Sequence, residues 1–202
     1  MKIYQHYSIF GFSNSYIVGN EEIGRAIIVD PAELTPTMIE KIESHHFDIS
    51  GILITHNHAH HVNGLSTIMK IYKPTIYASN AKLMNFQCRK VRDGDKIDEA
   101  DFEIEAIAVP GHSQDSIVYL LEGLFLFTGD VLHAGLIGKT SSAFNTDALA
   151  ERIAQKLFCL PDRTVLFPGH GPPSTIGTEK KSNVSFQEGF AEKARSSYDF
   201  FV

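Results

Sequence analysis

Along the first thirty positions, apolar residues come in short runs bounded by glycine, a pattern that suits strands better than helices. Strands are predicted over Ile3 to Phe10, Ser15 to Val18 and Ala26 to Val29, punctuated by Gly11 and Gly19 and closed by Asp30-Pro31. Thr35 before Pro36 marks a helix start, because a threonine oxygen can accept a free first-turn N–H and proline fits the first helical position. Met38, Ile39 and Ile42 fall on one face of that helix. A buried strand, Gly51 to Thr55, runs into a histidine-rich loop. Leu65, Ile68, Met69 and Tyr72 then have helical spacing, ending before Pro74, and Thr75 to Ala78 is a short strand.

From Cys88 the strand pattern returns, over 88–92, 101–109, 116–121 and 124–128, with a turn at Asp93-Gly94-Asp95. Asp147 to Phe158 has helical spacing, Thr164 to Phe167 reads as a strand, and Gln187 to Phe200 as a helix. Strand runs interrupted by two or three helices in each half predict two sheets packed together with helices outside. No repeat, low-complexity tract or Pro/Gly/Ser linker divides the 202 residues, so one domain spanning 1–202 is expected.

Composition narrows the function classes. With 43% hydrophobic and 21% charged residues, the chain can bury a core, which argues against disorder. A net charge of -6 makes nucleic acid a poor partner. The longest apolar stretches, around Leu120-Leu121 and Leu124 to Phe127, fall far short of a bilayer span, and the N-terminus lacks the pattern of a signal peptide. Asn183-Val184-Ser185 fits the glycosylation sequon as a chance match. Two cysteines, Cys88 and Cys159, cannot staple a chain this long; beside Phe86, Leu157 and Phe158 they read as buried thiols in a reducing cytoplasm. The outlying number is ten histidines, against no tryptophan.

Four of those histidines occur in Thr55-His56-Asn57-His58-Ala59-His60-His61, directly after a buried strand. Imidazole is the commonest neutral ligand for zinc and similar ions, and a strand end supplies rigid geometry. Alternate spacing turns His56 and His58 to one side, while His60 and His61 project differently. Three more polar residues follow strands at tight turns: His112 in Val109-Pro110-Gly111-His112, Asp130 in Thr128-Gly129-Asp130, and His170 in Pro168-Gly169-His170-Gly171. Glycines there let the backbone approach an ion closely.

In order and spacing these motifs resemble the metallo-β-lactamase superfamily over nearly the whole chain. Gly135 to Thr140 and Pro172 to Thr178, with Glu179 and Asn183, are similar to the short glyoxalase II-like hydrolases. The resemblance implies an α/β fold, a four-layer αββα sandwich with a metal site at one edge between the sheets. It implies that His56, His58 and His112 bind a first divalent ion, that His61 and His170 bind a second, and that Asp130 bridges them. Zinc is the favoured metal, with iron or manganese as alternatives. The implied reaction is hydrolysis of a small thioester or ester by a metal-bound hydroxide, with Asp130 and His60 as the catalytic residues.

His60 stands where the resembling family usually has aspartate. It can still ligate the second ion, but it removes a negative charge and a proton acceptor. Three outcomes follow: a working all-histidine second site, a different metal such as iron, or a weakened or single-metal site. The alternative functions are accordingly an iron-dependent sulfur dioxygenase-type enzyme and a metal-binding protein whose catalysis has lapsed.

Asp30 either orients a ligating imidazole or simply forms a turn before Pro31. His133, where an apolar residue would be ordinary in the family, is read as a substrate contact or proton donor, or else a surface imidazole. Lys139 is read as holding a substrate carboxylate, or else as solvated. His45 and His46 lie at a helix end and have no expected metal role. The chain stops at Val202 with room for one further helix, so glutathione recognition stays open, as does oligomeric state.

Overall fold

The computed structural model describes residues 1–186, so the helix expected over Gln187 to Phe200 lies outside the described residues. The first sheet contains β1 (Lys2–Tyr7), β2 (Asn14–Asn20), β3 (Arg25–Val29), β4 (Asp48–Leu53), β5 (Thr75–Ala78) and β6 (Arg89–Lys90), paired in that order. The second contains β7 (Lys96–Glu99), β8 (Phe102–Ala108), β9 (Ile117–Leu121), β10 (Phe125–Gly129), β11 (Val165–Pro168) and β12 (Ser174–Thr175), again neighbours in chain order. The helices are α1 (Pro36–Ser44), α2 (Ala59–Val62), α3 (Leu65–Ile71), α4 (Ala143–Lys156) and α5 (Ile176–Ser182).

Strand alternation builds the layers. Tyr16, Val18, Ile27 and Val29 point inward against Ile104, Ile117, Tyr119 and Phe127 of the second sheet. Their neighbours Ile17 and Ile28 point outward against Met38 and Ile42 of α1 and Leu65 and Ile68 of α3. On the opposite flank Val118, Leu120 and Leu126 meet Leu149 and Ile153 of α4. Each fully buried aliphatic side chain contributes roughly 1.5–3 kcal/mol. The result is the expected αββα sandwich, an α/β fold.

Helix starts follow their caps. Thr35 Oγ1 accepts from Met38 N at 3.3 Å, with Pro36 in the first turn. Ser142 does the same for α4, which begins four residues before the predicted Asp147. The apolar pattern missed that first turn because Phe144 is 80% exposed. β1 ends at Tyr7 rather than Phe10, since Ile9 and Phe10 are exposed in a turn with Gly11. The strand expected over 88–92 shrinks to two residues. Cys159 is exposed just beyond α4 and Cys88 is only half-buried, which corrects the reading of both as buried thiols.

One edge of the sandwich collects the chemistry. β3, β4 and β5 run parallel, as do β10 and β11, so several strand C-termini open on the same side. There the two sheets are joined: Asn14 N donates to Gly169 O at 2.7 Å, Ile117 N to Thr55 O at 2.8 Å, and Tyr16 Oη to Pro168 O at 2.6 Å. Among the described residues, no helix is long and apolar enough to cross a membrane.

Candidate metal centre

Beyond β4 the chain is fixed before it reaches the histidines. Asp30, at the end of β3 with a φ of 47°, accepts from Thr55 N at 2.8 Å and from Thr55 Oγ1 at 2.6 Å. Thr55 Oγ1, its hydrogen committed to Asp30, is left to accept from His56 Nδ1 at 3.1 Å. That leaves a lone pair on His56 Nε2. His112 Nδ1 donates to the Lys139 carbonyl at 2.8 Å, which likewise frees its Nε2.

Both free nitrogens point at His58 Nδ1, at distances of 2.9 and 3.1 Å. A single ring hydrogen on His58 can serve only one of them. Three imidazole nitrogens meeting with at least two lone pairs call for a cation among them. A tetrahedral ion with metal–nitrogen distances of about 2.0–2.1 Å needs its ligand nitrogens roughly 3.3 Å apart. These residues fit such an ion.

Asp130, buried just after β10, faces the remaining imidazoles with both oxygens. Its Oδ2 lies 3.4 Å from His61 Nε2, 3.7 Å from His60 Nε2, 3.7 Å from His112 Nε2 and 3.9 Å from His56 Nε2. Its Oδ1 accepts from His170 Nδ1 at 2.7 Å and lies 3.5 Å from His133 Nε2. His61 is wholly buried and donates from Nδ1 to Asp30 Oδ2 at 3.0 Å, so Asp30 does orient a candidate ligand while also making the turn. His61 Nε2 and His133 Nε2 are buried with no hydrogen-bond partner among the described residues. Orphaned buried nitrogens next to a carboxylate are a second sign that these residues fit a cation.

The backbone has to come close for this. A Cβ on Gly169 would stand 2.5 Å from both Asp130 Oδ1 and His61 Cε1, so only glycine fits there. The Gly11 carbonyl accepts from His170 Nε2 at 3.0 Å, bringing the Ser8–Ser13 turn, with exposed Ile9, Phe10 and Phe12, beside the cluster.

Charge is distributed unevenly. Burial holds His56 down to about 2, helped by the neighbouring His61, and burial also lowers His60 and His112. Burial opposes a charge on His61 too, but Asp30 and Asp130 outweigh it and push that ring up to about 10. The hydrogen bond to Asp130 raises His170. Burial alone would raise Asp130; its contacts with His133, His170 and His61 carry it well below the usual carboxylate range. Protons therefore compete with an incoming cation more at His61 and His170 than at His56.

All seven predicted ligands, His56, His58, His60, His61, His112, Asp130 and His170, come together at this edge, and His133 joins them. Lys139 is exposed and meets the cluster through its backbone carbonyl. His45 packs on Tyr4 and Phe47, away from the cluster. Asp115 escaped the sequence reading. It accepts from Asn57 N at 3.0 Å, from Asn80 Nδ2 at 2.9 Å and from Ser113 Oγ, tying the His56–His58 loop to the His112 loop. The signal was its place in Ser113-Gln114-Asp115, a polar turn directly after His112.

Comparison with known proteins gives concordant findings. The family described as the metallo-beta-lactamase superfamily matches residues 8–87. The probable polyketide biosynthesis zinc-dependent hydrolase BaeB of Bacillus velezensis is 30% identical over 184 residues, covering 85% of this chain and 80% of that protein. A hydroxyacylglutathione hydrolase of Chromohalobacter salexigens is 31% identical over 79% of this chain, which spans 63% of that protein's length. The crystal structure of ETHE1 from Myxococcus xanthus superimposes with a TM-score of 0.81 at 28% identity, covering 91% of this chain and 83% of that one.

Proposed function

The chain belongs to the metallo-β-lactamase superfamily, and from that premise we propose that it hydrolyses a thioester or related ester using two divalent ions, zinc by preference, held at its histidine edge. The observation that carries this reading is the convergence of His56 Nε2, His58 Nδ1 and His112 Nε2 within 3.1 Å contacts beside a buried carboxylate. Those three would hold the first ion; His60, His61 and His170 would hold the second, with Asp130 shared. Bound ions of this kind bring a water's pKa down to about 7 and polarise a carbonyl oxygen.

The protein's own groups do the positioning. Asp30 and Thr55 fix which nitrogens of His61 and His56 face inward. The Lys139 carbonyl does so for His112. His60, with a side chain 31% exposed where His61 shows none, faces the open side of the cluster. Lys139 is free to meet a substrate carboxylate. Exposed Ile9, Phe10 and Phe12 offer apolar surface to an acyl or thioether portion. A relative named for hydrolysis of hydroxyacylglutathione supports the thioester class, and one named as zinc-dependent supports the metal.

The test is a panel of small thioesters, including lactoylglutathione and short acyl thioesters lacking glutathione, assayed before and after chelation and after zinc is restored. Turnover of at least one thioester, lost on chelation and regained with zinc, is expected. Inertness of the zinc-loaded protein across the panel would overturn the reading.

One feature favours a second reading. Asp130, His133 and His170 make a two-histidine, one-carboxylate set, a combination suited to iron(II) oxygenases. Iron in the purified protein with oxygen uptake on a persulfide substrate would select it.

A further inference from the structure

We propose that His133 is a metal ligand, completing with Asp130 and His170 the donor set for the second ion. This rests on reading the histidine edge as a metal centre, and it gives His133 a role different from substrate contact.

The geometry points there. His133 lies in a small hairpin that pairs Leu132–His133 with Leu136–Ile137. The hairpin is anchored on both sides: Thr128 Oγ1 donates to Leu132 O at 2.7 Å, and Gly135 N donates to Glu179 Oε2 at 2.9 Å. Leu132 is fully buried beneath it, so the imidazole is carried on a fixed support. Its Nε2 is shielded from solvent, with no hydrogen-bond partner among the described residues, 3.5 Å from Asp130 Oδ1. Its ring centroid is 6.1 Å from that of His170. One donor atom from each of Asp130, His133 and His170 lies within 4.8 Å of the others.

A surface imidazole would keep both nitrogens in water, and a hydrogen-bonded one would have a partner at good distance and angle. His133 does neither. Asp130 also divides its oxygens: Oδ2 faces His56, His60, His61 and His112, while Oδ1 faces His133 and His170. Oδ1 thus has two imidazoles of its own. Two nitrogens and one carboxylate oxygen select a cation of the zinc or iron class over magnesium or calcium.

The experiment titrates the metal-stripped, full-length protein with zinc and, for its visible absorption, with cobalt(II). Wild type is compared with His133→Phe and His133→Asn. Wild type should take two ions; in both variants the first should bind as in wild type and the second should weaken by at least about 10-fold, with altered cobalt absorption at the second equivalent. An unchanged second affinity and absorption in the variants overturns the proposal, as does a wild type that takes one ion. A zinc-edge crystal structure of the loaded wild type does not depend on how the variants fold. There, a second ion bonded to His133 Nε2 supports the assignment and one beyond bonding distance overturns it. Because ion count and thioester turnover are read separately, loss of the second ion in an inert protein would uphold His133 and sink the hydrolase reading.

Discussion

The two halves of the histidine cluster are built differently. Around His58, three imidazole nitrogens already stand within 3.1 Å contacts, with their outer nitrogens engaged by Thr55 and the Lys139 carbonyl. Around Asp130, His170 is held at 2.7 Å while His61, His133 and His60 stand off at 3.4 to 3.7 Å, and this shared carboxylate is what gathers all four. In the first half the inward nitrogens converge on one another; in the second, Asp30 and the Gly11 carbonyl hold outer nitrogens of His61 and His170, but the inward nitrogens converge on one buried carboxylate. Removing a single group should therefore harm the second half more.

The largest effect is expected from Asp130→Ala. It removes both oxygens between the halves and should abolish second-ion binding while lowering thioester turnover by roughly 10²–10³-fold, measured by ion content and steady-state kinetics. First-ion binding through His56, His58 and His112 should survive, which keeps the comparison sharp. Next comes Asp30→Asn, which weakens the acceptor for His61 Nδ1 directly and reaches His56 only through Thr55, and should reduce second-ion affinity by about 10–100-fold and first-ion affinity by less in a zinc titration. An equal loss at both ions would erase the distinction between the halves. The smallest effect is that of Gly169→Ala, whose methyl meets Asp130 and His61. Overpacking of this kind costs about 1–3 kcal/mol, to be read from thermal or denaturant unfolding of the metal-stripped protein.

How much of this was legible in the sequence depended on local pattern. The apolar run Ala26 to Val29 announced a strand, which the structure buries on both faces, and Thr35-Pro36 announced a helix start. β7 did not, because Ile97 is its one buried side chain among Lys96, Asp98 and Glu99. Nor did α5, where Gly177 and a polar remainder hide a short helix whose Ile176 is buried against the second sheet. The ligand candidates were legible because each follows a strand at a turn. Asp115 was not, since its contacts join segments far apart in the chain; nor was the burial of His133 Nε2, which depends on how the Leu132–His133 hairpin folds its ring back beside Asp130 and His170. The exposure of Cys159 was missed for the opposite reason: apolar neighbours in sequence do not enclose a residue that faces outward just past a helix.

The most direct test of the central claim is thioester turnover measured against ions bound per chain, from fully stripped to fully loaded protein. Turnover should be absent at zero ions, rise as ions are restored and reach its maximum with two bound. Full turnover in the stripped protein, or none in a protein shown to hold two ions, would contradict the account.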